Sequence, residues 1–264
     1  VTFSDVVPPV GLGTMGLAGG SGRETVATAL ELGYRHLDTA QIYENEAVVG
    51  DGLRDALDRG VVDRDEVLVA TKVWVDELRA ERFRESVETS REKLGVDTID
   101  LLYLHRPRGP YRPETTLPLF DGVRDDGLVD HVGVSNFTVD QLEVARRHLA
   151  APLVAHQTEY HPLFRRPALL DDAREHDYAV VGYSPLAGGR VFDLDPVVAI
   201  AEARDVSPAA VSIAWLRAKG LAVVPKASSR EHLRANLAAA DLTLDEREVA
   251  RIDAIEVEEE LYPE

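Results

Sequence analysis

Eight short apolar segments, each followed by a stretch of helical periodicity, constrain this chain more than any other feature. Strands read at Val10–Gly13, His36–Asp38, Val67–Lys72, Ile99–His105, Val129–Ser135, Val154–Tyr160, Ala179–Ser184 and Ala222–Pro225. Between them, apolar residues recur at helical spacing over Ser21–Leu32, Glu46–Arg59, Leu78–Leu94, Thr116–Asp126, Val139–Leu149 and Pro167–His176. Two helices, Asp195–Arg204 and Pro208–Lys219, precede the last strand, and Arg230–Ala240 and Asp245–Ile255 follow it. Ser21 and Asn45 are placed to cap their helices and Gly95 to end one. Near-continuous apolar strands joined by helices are the pattern of a parallel sheet buried on both faces. Eight such units in 264 residues predict an α/β fold, a (β/α)8 TIM barrel forming a single domain over 1–264. A hairpin around Pro8-Pro9 would precede the barrel, an extra C-terminal helix would follow it, and the acidic tail from Glu256 would be solvated and frayed.

Composition removes several alternatives. The chain has no cysteine, so thiolate nucleophiles, disulfides and Cys-ligated zinc are excluded. No stretch approaches the ~20 apolar residues of a membrane span, and V-T-F-S-D-V-V-P has no signal-peptide pattern, which predicts a cytoplasmic protein without membrane partners. Forty-seven acids against 29 Lys plus Arg give a net charge of -18, which repels nucleic acid. Only four residues are lysine: Lys72, Lys93, Lys219 and Lys226. An acidic, lysine-poor composition resembles that of salt-accumulating halophiles; an acidic mesophile from a GC-rich genome is the plain alternative.

Gly11-Leu-Gly13-Thr-Met-Gly16 matches a dinucleotide fingerprint, with Asp38 where a ribose-binding acid would fall. The context is wrong, because Leu17–Gly22 separates the third glycine from the helix pattern. The glycines instead suit a loop kept close to a flat ligand.

The strand ends carry the chemistry. In a barrel they converge on one mouth. Strand two ends at Asp38, with Tyr43 in the loop above it. Strands three and four end at Lys72 and His105, and strand five at Ser135 and Asn136. The last three contribute Gln157 and Tyr160, then Tyr183 and Ser184, then Lys226. Lys72 lies among apolar neighbours, so its charge needs a partner, and Asp38 on the adjacent strand is the obvious one. An ammonium beside a phenol lowers the phenol's pKa, which suits Tyr43 to proton donation. His105 would donate a hydrogen bond to a carbonyl oxygen or assist the proton's passage. Such a site polarises and protonates a carbonyl but supplies no electrons, so a hydride must come from a cofactor.

The chain resembles the aldo-keto reductase family over essentially its whole length. The matching stretches are G-x-R-x-x-D-T-A-x-x-Y-x-N-E at 33–46, K-x-W at 72–74, L-x-L-H at 102–105 and V-G-V-S-N-F at 132–137. Q-x-E-Y-H-P at 157–162, Y-S-P-L at 183–186 and P-K-A-S-S at 225–229 also match. The resemblance implies a tetrad of Asp38, Tyr43, Lys72 and His105, with Tyr43 as general acid. It implies that Ser135, Asn136 and Gln157 bind the nicotinamide amide and that Tyr183 stacks on the ring, with Gly13, Thr14, Ser184 and Leu186 also against the cofactor. At the adenosine end Lys226 matches, but Ala227 replaces the usual serine and His232 stands where arginine is expected. Ser228, Arg230, Arg234 and Asn236 are nearby. NADP is therefore the expected cofactor, with NAD also open to it. Met15, Trp74, Tyr160 and Phe137 would wall a shallow site for a small carbonyl substrate, because the connection after His105 is short. A monomer and no metal are expected.

Two other readings compete. His36, Asp38, His105, His156 and His161 would be ligands in a metal hydrolase, and the fold also serves as a cofactor-holding regulatory subunit.

Overall fold

The computed structural model describes residues 6–263. Its eight parallel strands pair in chain order: β1 (Leu12–Gly13), β2 (His36–Asp38), β3 (Leu68–Val73), β4 (Ile99–Leu104), β5 (Val129–Ser135), β6 (Leu153–Glu159), β7 (Ala179–Tyr183) and β8 (Ala222–Val223). Val10 bridges Val223 in parallel, and Gly11 N–H donates to Val223 O at 2.8 Å, bringing the last strand back to the first. Helices α1 (Gly19–Leu32), α2 (Glu46–Asp58), α3 (Ala80–Leu94), α4 (Pro113–Asp125), α5 (Val139–His148) and α6 (Pro167–His176) follow strands one to six. Then come α7 (Asp195–Arg204), α8 (Pro208–Ala218), α9 (Arg230–Ala238) and α10 (Glu246–Asp253). Among the described residues no helix is long and apolar enough to cross a membrane.

Two apolar clusters explain the layering. One fills the space between strands and helices, with Leu12, Leu37, Val69, Leu102, Val134 and Trp215 among its members. The other fills the ring itself: Leu68, Ala70, Leu101, Tyr103, Ala155, Val181 and Val224. The two sets alternate along β3, along β4 from Leu101 and along β7, as a period of two demands. On β3 the inward series runs Leu68, Ala70, Lys72; on β4 it runs Leu101, Tyr103 and then His105, whose N–H extends the ladder to Val73 O at 3.2 Å. At the C-terminal ends of these two strands the inward positions turn polar, at Lys72 and His105.

Several local expectations change. The hairpin around Pro8-Pro9 runs partly into residues 1–5, outside the described residues; from residue 6 to Val10 the chain shows bends and the single parallel bridge. Ser21 does not cap α1, which starts two residues earlier; its hydroxyl donates to Ala18 O at 3.2 Å. Asn45 occupies the position before α2 but makes no cap. Its side chain instead donates to Thr14 O (2.7 Å) and Leu17 O (3.1 Å) and accepts from Thr39 Oγ1 (2.8 Å), tying the loops after β1 and β2 together. Gly95 does end α3, in a left-handed conformation with φ 67°. Gly11 and Gly13 allow close approach on both sides of β1: a Cβ at Gly11 would lie 2.4 Å from the His36 ring on β2, and one at Gly13 would lie 2.5 Å from Val224 O across the closing seam.

The acidic tail is not frayed. Asp245 caps α10 by accepting from the N–H groups of Arg247 and Glu248, and Asp253 near its end accepts from Trp215 Nε1 at 2.9 Å. Beyond it Glu259 N–H donates to Leu163 O at 2.7 Å. The amides of Leu261 and Tyr262 donate to the two oxygens of Glu159 at 2.7 and 3.0 Å. Glu259 pairs with Arg190 and Glu260 with Arg166. This strap brings Tyr262 to the C-terminal mouth of the ring.

Candidate active site

Asp38 and Lys72 meet at the C-terminal end of the barrel interior. Lys72 Nζ donates to Asp38 Oδ1 at 2.6 Å and to Thr39 O at 2.8 Å, and both side chains are almost fully buried. Asp38 Oδ2 accepts from Gln157 Nε2 at 2.7 Å, so both carboxylate oxygens are committed. Burial alone would depress the Lys72 ammonium, but Asp38 and Tyr43 outweigh it and hold its pKa above the ordinary value. The ammonium lies 5.2 Å from the centroid of the Tyr43 ring.

Tyr43 stands above this pair on a 3-10 turn, Gln41–Tyr43, and the expected lowering of its pKa does not occur. Burial raises it; Lys72 pulls it down but Asp38 adds a further rise, and the sum lies above the ordinary phenol. The chain thus holds Tyr43 as a neutral acid. His105 is 6.1 Å from Tyr43 and 5.0 Å from Trp74, ring to ring, both edge-on. Burial, then the charges of Lys72, Arg106 and Arg108, lower its pKa to about 2, so it is a neutral imidazole at any physiological pH.

These groups open into a cavity of about 400 Å³. Asp38, Tyr43, His105, Trp74, Gly13, Thr14 and Met15 line it. Asn136, Gln157, Tyr183, Ser184, Leu186 and Lys226 line it with them. Tyr183 donates its hydroxyl to Asn136 Oδ1 at 2.9 Å, and Asn136 Nδ2 donates to His105 O at 3.1 Å. Asn136 and Ser184 have positive φ, 63° and 53°, an uncommon backbone that clusters at functional loops. A second cavity shares Lys226 and continues along Ser21, Thr25, Thr28, Ser228 and Arg230.

Other expected residues lie elsewhere. Ser135 is buried behind Asn136, its hydroxyl accepting from Asn136 Nδ2. Phe137 and Tyr160 do not wall the cavity: Phe137 packs edge-on to Tyr111 and Tyr160 against Trp215, both in the outer core. An aromatic just past a strand end has two faces to choose from, and these chose the helices. His232 is exposed and Asn236 buried on α9, and neither is among the residues lining these two cavities. The metal-ligand set is not assembled. His156 Nε2 accepts from Phe137 N–H, and His161 faces Glu159 at 2.9 Å. Among the described residues no group of three or more His, Cys, Asp or Glu is placed to hold a metal.

Sequence reasoning passed over Arg106, Ile42 and Tyr262, which also line the main cavity. Arg106 carried a signal, since it directly follows His105. Tyr262 carried none, because Glu159, 103 residues away, places it through a backbone amide.

A ring of parallel strands with an acid–base cluster at their C-terminal ends defines a barrel enzyme. The particular lineage is equally plain: a sequence model of the aldo/keto reductase family matches residues 9–257, and the chain belongs to that family of oxidoreductases. It is 33% identical over 258 residues to the methylglyoxal reductase DkgB of Escherichia coli O157:H7, covering 97% of this chain and 95% of that one. Among solved structures it is similar to a putative 2,5-diketo-D-gluconic acid reductase B (34% identity, TM-score 0.89, 94% of this chain and 87% of the other). The aldose reductase of Schistosoma japonicum aligns at 29% identity with TM-score 0.91, over 97% and 91% of the two chains. Family and relatives together support carbonyl reduction.

Proposed function

We propose that the chain reduces small aldehydes and ketones to alcohols, or runs the reverse oxidation, with NADP(H) preferred and NAD(H) open to it. One observation carries this reading: a buried Lys72–Asp38 pair, 2.6 Å apart, beneath a neutral phenol, with a neutral imidazole beside it at one cavity. Methylglyoxal, the dicarbonyl in the relative's name, falls within this substrate class.

The donor set suits a nicotinamide cofactor. The amide-bearing Asn136 and Gln157 line the cavity with Tyr183, and Lys226 joins it to the second cavity, where Ser228 and Arg230 lie. A nicotinamide held by these residues would supply or accept the hydride. Everything else falls to the chain. Tyr43 gives its proton to the carbonyl oxygen. Lys72, held by Asp38 and Thr39 O, stabilises the phenolate left behind. His105 donates a hydrogen bond to the same carbonyl oxygen. Asn136 and Gln157 would orient the amide, with Ser135 positioning Asn136 from behind, Tyr183 would fix the ring face, and Lys226 with Ser228 would receive a phosphate.

In this reading residues 1–264 act as one domain, a cytoplasmic monomer with no nucleic-acid or membrane partner. The net charge of -18 supports the exclusion of nucleic acid, and sedimentation checks the monomer. The deciding experiment is oxidation of NADPH and of NADH by the purified chain across a carbonyl panel, in low and molar potassium chloride. Turnover of small aldehydes is expected; none with either cofactor at either salt would refute the proposal.

A further inference from the structure

Two amide side chains bracket Tyr43. Asn45, just beyond it, ties the turn to the loop after β1. Gln41, just before it, ties the same turn in the other direction. Its Oε1 accepts from Trp74 N–H at 2.8 Å, and its Nε2 donates to Ser90 Oγ at 3.1 Å and Ser86 O at 3.3 Å on α3. The orientation of this amide is forced, because the Trp74 N–H needs an acceptor and the Ser86 carbonyl a donor. Trp74 follows Lys72 and Val73 directly as the chain leaves β3. One side chain therefore joins the turn that carries the phenol to the strand end that carries the ammonium.

β2 pairs with β3 as far as Asp38, opposite Ala70. Beyond that point the Gln41 amide takes the place of strand backbone as the acceptor for Trp74 N–H. The turn itself, Gln41–Tyr43, is a single turn of 3-10 helix, a form whose own hydrogen bonds have poor geometry. Ala40 gives it no side-chain cap, and the amides of Tyr43 and Glu44 donate to Ala40 O and Gln41 O. Gln41 does not line the main cavity, so it acts on the reacting groups through what it holds. The family pattern at 33–46 leaves position 41 open, and the resemblance assigns this residue no role.

We infer that Gln41 is a positioning residue for the proton transfer, and that it sets the Tyr43 phenol against the Lys72 ammonium. The inference rests on the carbonyl-reductase reading and deepens it. Lys72 is fixed by Asp38 and Thr39 O, whereas the phenol is fixed only as well as its turn is. The ammonium stands 5.2 Å from the centroid of the Tyr43 ring. Proton donation requires that spacing to hold while the carbonyl oxygen approaches, and a displacement of about 1 Å can cost a hundredfold in rate. Gln41 exchanges no proton with the substrate.

Two substitutions separate the contacts. Gln41→Met keeps the length of the side chain and removes its bonds to Trp74, Ser86 and Ser90; Gln41→Glu keeps the acceptor for Trp74 N–H and loses the donor to Ser86 O. With methylglyoxal and NADPH, Gln41→Met should lower kcat by roughly 10- to 100-fold, and Gln41→Glu by less. In a Tyr43→Phe background the same Gln41→Met should cost under about 3-fold, because the residue acts through the phenol. Amide hydrogen exchange reads the geometry without turnover: in Gln41→Met the amides of Tyr43 and Glu44 should exchange faster together with that of Trp74. An unchanged kcat, an equal loss in both backgrounds, or faster exchange confined to Trp74 would overturn the inference. If the wild-type chain turns over neither methylglyoxal nor the wider carbonyl panel, the carbonyl-reductase reading falls, and the exchange rates still decide whether Gln41 holds the turn.

Discussion

At the scale of single residues, the site depends on which of two opposing effects wins at Tyr43. Burial outweighs the ammonium, so the phenol stays protonated. His105, lowered to about 2, stays neutral. A group with a raised pKa keeps its proton until the pH passes that value, so Tyr43 remains an acid beyond the range in which an ordinary phenol titrates. A group with a depressed pKa does not take one up until far below neutrality. The kcat/KM for reduction should therefore be flat between about pH 5 and 9, with no histidine inflection near ~6.5. A pH–rate profile showing such an inflection would contradict the assignment of His105. Tyr43→Phe removes the proton and little else. It should lower kcat by roughly a hundred- to ten-thousand-fold while leaving the circular dichroism unchanged. Lys72→Met has a different signature. It leaves Asp38 buried without its counter-charge, so stability should fall by about 3–5 kcal/mol in urea titration alongside the activity.

At the scale of elements, the strand ends were readable and the loops only partly so. Asp38, Lys72 and His105 are found by counting in twos along inward-facing strand positions, a period that needs no tertiary knowledge. Phe137 and Tyr160 defeated the same method because beyond the strand end the period no longer binds. The sign of the Tyr43 shift was out of reach because it depends on burial, which a list of neighbours does not contain. The strap was illegible for another reason. Its anchor joins Glu159 to backbone amides, which every residue but proline offers alike. Burial would raise the pKa of Glu159; His161 and the amides of Leu261 and Tyr262 outweigh this and lower it. Glu159→Gln keeps the shape and loses the charge. It should loosen the strap by about 1–3 kcal/mol, seen as faster hydrogen exchange at the Leu261 and Tyr262 amides. KM should rise more than kcat falls, because Tyr262 lines the cavity and the proton donor is untouched. Unchanged exchange in this variant would show that the Glu159 carboxylate is not what holds the strap, leaving its arginine pairs and the Glu259 N–H bond to Leu163 O.

At the scale of the whole molecule, charge is the dominant fact. Arg23 pairs with Asp55, Arg59 and Arg230 both reach Glu31, and Arg204 makes a two-bonded pair with Glu248, yet 18 negative charges remain in excess. Self-repulsion of that size weakens as salt shortens the range of the field. Raising potassium chloride from about 0.1 M to about 2 M should lift Tm by about 5 °C or more; a Tm indifferent to salt would rule out a halophilic adaptation. The strap has an evolutionary meaning of its own at this scale. Among the described residues its hydrogen bonds at 261 and 262 come from main-chain N–H groups and its charged pairs lie at 259 and 260, so of the side chains nearest the mouth Tyr262 adds a ring contact to Tyr183 and no hydrogen bond is required of either. Residues 261 and 262 behave as an exchangeable cartridge in a fixed socket. New side chains there can alter what the mouth admits while the barrel, the proton donor and the fastening stay as they are.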